Sequence, residues 1–358
     1  MTKLKEHKPS KMEALKAMTP ADRRRAIFDG IMNNAMFIII ALVIIYVAIK
    51  NPRFLSIPSL VNIISLTAAK LPIALGVGGC IILAGTDISA GRQVGLAACI
   101  SAGLQLTTNK LFPGLQIMPI PVVLLCVLVA CALVGFVNGF FMAKFKLHPF
   151  IVTLSTQLIV YGLVLLFMQL GTNGGQTLSG MSEGYRNFII KPLFTLKTSS
   201  GPVTVPRYVL YSAIITTLVW VIWNKTAFGK NMYAVGSNEE AANVSGVNVS
   251  KTIILVFVMA GMLYGITGFM DAARISSVNA TTGLNYESDA IAACVIGGIS
   301  FVGGIGKISG AIIGVLLLQI IFVGLNYLSV DANYLYIVKG LIILIACSID
   351  MRKYLVRK

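Results

Sequence analysis

Charge is what this chain has least of. Charged residues make up 12% of its 358 positions, about half the share of an ordinary soluble domain, and that excludes a freely solvated globule. Histidine is scarcer still: His7 and His148 stand far apart, without ligand spacing for a metal or a base beside a nucleophile. The six cysteines (Cys80, Cys99, Cys126, Cys131, Cys294, Cys347) fall singly inside apolar runs. None forms a Cys-x-x-Cys pair, so they read as small packing residues and not as a disulfide framework. Acidic residues are too sparse to trace the buried Asp, Glu and His relay of a proton-driven carrier. A nucleotide loop is lacking too. Gly306-Lys307 is followed by Ile308, and Phe301 stands where the first glycine of such a loop belongs. The expected cofactor set is therefore empty, and any driving energy must come from a separate chain. No catalytic constellation points to an enzyme.

What fills the chain instead is apolar: 56% of residues are hydrophobic, and mean hydropathy is +0.85. Several runs reach the about 20 residues that carry a helix across a bilayer. Backbone groups in lipid must be satisfied internally, so the expected fold is an all-α polytopic membrane protein. The reading gives about ten transmembrane helices, from Ile31–Ala48 to Tyr334–Ile349. Glycine-rich hairpins fall at 77–106 and 293–322, and Lys70 and Pro72 predict a broken or kinked second span. Residues 31–350 form the membrane domain, between a basic tail at 1–30 without a cleavable-signal pattern and a short tail at 351–358.

The net charge of +16 invites a nucleic-acid partner, but its distribution argues against one. Lysine and arginine cluster in the N-terminal tail, in short loops such as Lys144–Lys146 and Lys225–Lys251, and at the C-terminus. Positive charge flanking spans marks the cytoplasmic side and suits anionic lipid. Both termini are then expected inside, with the loop at 225–251. The Gly/Ser/Thr/Pro-rich connection at 171–207 is expected outside.

Small residues recur four apart at Gly135, Gly139 and Ala143, at Gly261 and Gly265, and at Gly310 and Gly314, and let helices approach closely. Thr153, Thr156, Gln157 and Tyr161 form a polar stripe that reads as interhelical glue first and as a hydroxyl-rich path, joined by Asn138, second. Asp87 and Arg92 bracket a turn as a cap and pair, and Gly303 and Gly304 form another turn. Between two spans, Ser237 and Glu240 make a capping-box pattern and Gly246 a helix stop. They enclose Glu239, Glu240, Ala241 and Ala242, a short docking helix.

The spelling Glu240-Ala241-Ala242, three residues, then Gly246 resembles the loop by which ABC import permeases contact their ATPase. Most of the chain is similar to the permease family of ribose-, xylose- and galactose-type ABC importers. The matching stretches are Ala84-Gly-Thr-Asp87-Ile-Ser-Ala-Gly91, Val137-Asn138-Gly139, Pro149-Phe-Ile-Val-Thr153, Gly236–Gly246 and Tyr286-Glu-Ser-Asp289. Gly85-Thr86-Asp87-Ile88-Ser89-Ala90-Gly91 looks closest to the galactose/methyl-galactoside branch. The resemblance implies a homodimeric permease in a bacterial plasma membrane. It also implies an ATPase with two nucleotide-binding halves that holds ATP-Mg, and an external sugar-binding protein. An ion-coupled secondary carrier is the alternative; it would transport under an ion gradient with no ATPase. A structural or lipid-handling membrane protein would show no sugar-dependent uptake.

Overall fold

The computed structural model describes Thr19 and residues 35–355, apart from 109, 113, 172, 199 and 200. The expected basic tail, Thr19 apart, the start of the first expected span and residues 356–358 lie outside the described residues. Most of the described residues are helical, which pairs most backbone groups within their own segment.

Helix α1 (Ala35–Lys50) leads through a 3-10 turn (Pro52–Leu55) to α2 (Ile57–Ile82). Ser56 starts α2 by accepting from the Ser59 amide at 3.4 Å. Pro72 lies inside α2 and does not end it, so the expected break of the second span is absent. A proline removes one backbone bond, but every residue from Leu71 to Ile82 is buried among other helices. That packing holds the helix through the defect.

The sharp break comes later. α7 (Arg207–Lys225) and α8 (Ala227–Ser237) meet at 69°. Thr226 between them is extended; its hydroxyl donates to Ile222 O at 2.6 Å and accepts from the Gly229 amide at 3.2 Å. Gly229 then lies directly on the Trp223 carbonyl, where a side chain would collide.

α3 (Ala90–Gln105), α4 (Ile120–Phe145), α5 (Pro149–Met168) and α10 (Val249–Ile275) complete one side of the bundle. α4 and α10 pack backbone to backbone: Gly135 rests on the Phe257 carbonyl and Gly261 on that of Cys131. The small-residue stripes are thus used within a single chain. On the other side, α12 (Ile308–Tyr327) lies on the short α11 (Tyr286–Ile296), and α13 (Ala332–Leu355) closes the chain.

The connection at 171–207 is more ordered than its composition suggests. It holds a strand β1 (Leu178–Ser179), helix α6 (Glu183–Ile190) and an antiparallel hairpin of β2 (Pro192–Thr198) and β3 (Gly201–Pro206). β1 pairs with β4 (Ser277–Val278), which follows α10. Tyr185 of α6 donates to Phe269 O at 2.5 Å, and burial pushes its phenol up in pKa, so it stays a neutral donor. These short sheets were not expected from an all-α reading.

Among the described residues, five helices (α2, α4, α5, α10, α12) are long and apolar enough to cross a membrane, and a sixth follows if α7 and α8 count as one span. The expected count of about ten is not reached on length and composition. α3 and α11, with 16 and 11 residues, are too short.

Candidate functional site: a capped helix and the polar groups behind it

α9 (Glu239–Val244) is the short helix of the 225–251 loop. Its cap is Asn238, not Ser237. Asn238 is extended and its Oδ1 accepts from the Ala241 amide at 2.8 Å. Ser237 is instead the last residue of α8, so its backbone is already helical and cannot serve as a cap. Gly246 has φ +83. Its amide donates to Asn243 O and that of Val247 to Ala242 O, each at 3.0 Å, the paired bonds of a Schellman stop.

Ala242 turns inward, with 5% of its surface exposed. Ala241 is exposed. Glu239, Glu240 and Asn243 are exposed, and Val244 is 89% exposed. Val244 was missed in the sequence, although it is a large apolar residue in a polar loop. A cleft of about 740 Å³ opens beside α9, walled by Glu239, Glu240 and Asn243 and by Lys146 and His148 of the α4–α5 turn.

The turn at 303–304 packs against the end of α8, just before this helix. Gly303 and Gly304 have φ +86 and +66. The Gly304 amide donates to Ile82 O at 2.8 Å, and its α-carbon lies against Ser237, where a Cβ would be 2.7 Å from the serine Cβ. The end of α2, the α8–α9 junction and the α11–α12 turn thus form one contact.

Behind α9 lies a buried polar network. Asp87 Oδ1 accepts from the Ser89 amide at 2.9 Å and from its hydroxyl at 2.5 Å. The Ser89 hydroxyl accepts from Gln93 at 2.9 Å and from Asn138 at 3.1 Å, and Thr156 donates to Asn138 Oδ1 at 2.6 Å. Thr153 donates to Pro149 O at 2.9 Å and to Thr86 O at 3.3 Å. All six side chains are buried, so α3, α4 and α5 are fastened by mutual hydrogen bonds. Gln157 and Tyr161 share the stripe in sequence but stand outside this network. Ser89 and Gln93 were not singled out; only the fold reveals that they face Asn138.

Arg92 does not pair with Asp87, contrary to expectation. It points to the other side of α3, where its guanidinium lies 4.2 Å from the Tyr161 ring centroid and donates to Ala280 O at 3.1 Å. Five positions apart, the two side chains leave the start of α3 in different directions. Lys339, solitary in the sequence, forms an ion pair with Asp289 at 2.8 Å. Asp271 and Arg274 pair at 2.8 Å one turn apart on α10.

A multi-pass helical body with buried polar fasteners and a short capped helix at one end has the design of a membrane transport permease. Residues 59–347 match the family described as "Branched-chain amino acid transport system / permease component". The chain belongs to that family, whose members are transport subunits of ABC importers and not enzymes. Family membership implies an ATPase and a substrate-binding protein as partners. The galactose/methyl galactoside import permease protein MglC of Haemophilus influenzae is 42% identical over 92% of this chain and 97% of its own length. MglC of Escherichia coli is 38% identical over 94% of this chain and 98% of its own. The ribose import permease protein RbsC of Escherichia coli is 32% identical, also over 94% and 98%. No solved structure matches the chain.

Proposed function

We propose that this chain is the membrane subunit of an importer that carries galactose or a methyl galactoside across a bacterial plasma membrane. The observation that carries the reading is the 42% identity, over nearly the whole chain, to a permease named for that import. On this reading α9 is the element the ATPase grips. Glu239, Glu240 and Ala241 form its contact face, Ser237 and Ala242 its base, and Gly246 its stop. Push on α9 reaches the bundle through Gly303, Gly304 and the end of α2, which touch the α8–α9 junction.

The finer architecture follows the same reading. α1, α2, α3, α4, α5, α7, α10, α11, α12 and α13 make ten crossings, with α3 and α11 part-length. Both termini and the 225–251 loop lie inside, where positive charge collects. The segment at 171–207 lies outside and receives the sugar-binding protein. Two copies of the chain enclose the path. The chain itself binds no nucleotide, and ATP-Mg is held by the ATPase. Basic loop residues contact anionic lipid.

Reconstitution tests the reading. Proteoliposomes carrying the chain, its ATPase and a galactose-binding protein should accumulate labelled galactose only with ATP. Uptake under an ion gradient without the ATPase would replace this reading with a secondary carrier.

A further inference from the structure

The segment between β4 and α11 runs through the body of the protein without forming a helix. β4 pairs with β1 beside the far end of α3, where the Ser182 amide bonds Gln105 O. Four residues later the Thr282 carbonyl already lies against Gly95, and Gly283 lies against Gly91, in the first turns of α3. The chain has therefore turned back alongside α3 toward its first turns. It does so through successive turns: the amides of Thr282, Leu284 and Tyr286 donate to the carbonyls of Asn279, Thr281 and Gly283 at 3.0, 3.0 and 3.2 Å. α11 then starts at Tyr286, whose ring lies under the Lys70 ammonium, midway along α2.

Such a segment sits at membrane depth, and its side chains are not sealed in. Asn279 and Thr281 are exposed, and Thr282 and Asn285 half-exposed. The hydroxyls of Thr281 and Thr282 donate to Asn279 Oδ1 at 2.8 and 3.3 Å, but irregular backbone at that depth is tolerated only inside protein or along a water-filled cavity, and this polar cluster faces outward. A charge belongs to the same surface: half-exposed Arg92 bonds the segment at Ala280 O and stacks on half-exposed Tyr161. One turn along α5, Gln157 is also half-exposed, and a carboxamide facing lipid would be equally costly.

We infer that Arg92, Tyr161, Gln157 and the 279–285 segment line the aqueous path and touch the sugar halfway across. The buried Asn138, Thr153 and Thr156 hold the helices behind that wall and do not meet the solute. The sugar contact rests on the galactose-import reading; the position of the water does not. Hydroxyls of a sugar suit a wall of amides, carbonyls and threonines, and an aromatic ring supplies the face against which a pyranose packs.

The test uses the full assembly in proteoliposomes, with Cys126 and Cys347 replaced by alanine. Variants Gln157→Cys, Thr281→Cys and Leu158→Cys, each adding one cysteine to the four buried native ones, are exposed to a charged, water-soluble methanethiosulfonate. The cysteines placed at 157 and 281 should react, and galactose should slow them. The one at 158, where leucine is 67% exposed on the outer face of α5, should not react. Tyr161→Leu should lower uptake about threefold, the loss expected for a cation–π contact open to water, while Tyr161→Phe keeps it. If positions 157 and 281 are as inert as 158, the path lies elsewhere. If they react without protection by sugar while the unsubstituted assembly imports galactose, the proposed contact is wrong. An assembly that imports no galactose would refute the functional reading, while the labelling pattern still locates the water.

Discussion

Replacing Gly246 with valine isolates the end of α9 from everything else. The residue has φ +83, and nothing lies within 4 Å of a Cβ built there. The cost is therefore backbone strain alone, without a clash. A left-handed conformation costs an L-residue roughly 1–2 kcal/mol, and β-branching adds to it. Because 1.4 kcal/mol is a factor of about ten in an equilibrium, the Schellman stop should be populated some ten times less. A six-residue helix has little cooperativity of its own to resist this. Membrane level and thermal stability of the bundle should hardly change, since the residue is exposed. ATPase co-purification and ATP-driven uptake should fall together, by about tenfold. Gly246→Asn, which tolerates left-handed backbone, should retain most of both. If the valine variant associates and transports like the parent, α9 does not need its fixed end and the coupling argument fails.

Two further outcomes can be measured on detergent-solubilised protein. Asn138→Leu leaves the Thr156 hydroxyl without its side-chain partner and removes a donor to Ser89. It should cost about 1–3 kcal/mol, seen as a lower melting temperature, and an unchanged melting curve would show the network to be incidental. Lys339→Met leaves half-buried Asp289 without this partner and should destabilise more than the double variant Lys339→Met with Asp289→Leu, because a partly desolvated charge that has lost its partner is worse than none. Additive losses in the two single variants would mean that the pair is not coupled.

Much of this molecule is legible from local pattern because bilayers impose simple rules. Run length marks α2, α4, α5, α10 and α12, and glycines four apart find α4 and α10, since no other residue lets two backbones touch. Gly246 is readable because few residues adopt positive φ. Choices settled by distant partners are not readable. Ser237 and Asn238 are both good caps, and what decides between them is where α8 stops, which depends on Gly304 lying against Ser237 from 67 positions away. Pro72 looks like a break until the helices around α2 are in place. Periodicity shows that Thr153, Thr156, Gln157 and Tyr161 share a stripe, but not what the stripe meets. Ser89 and Asn138 claim one end of it and Arg92 the other. A stripe divided in this way serves two purposes: its sealed end fixes α5 against α3 and α4, so that its open end can present polar groups at a constant place.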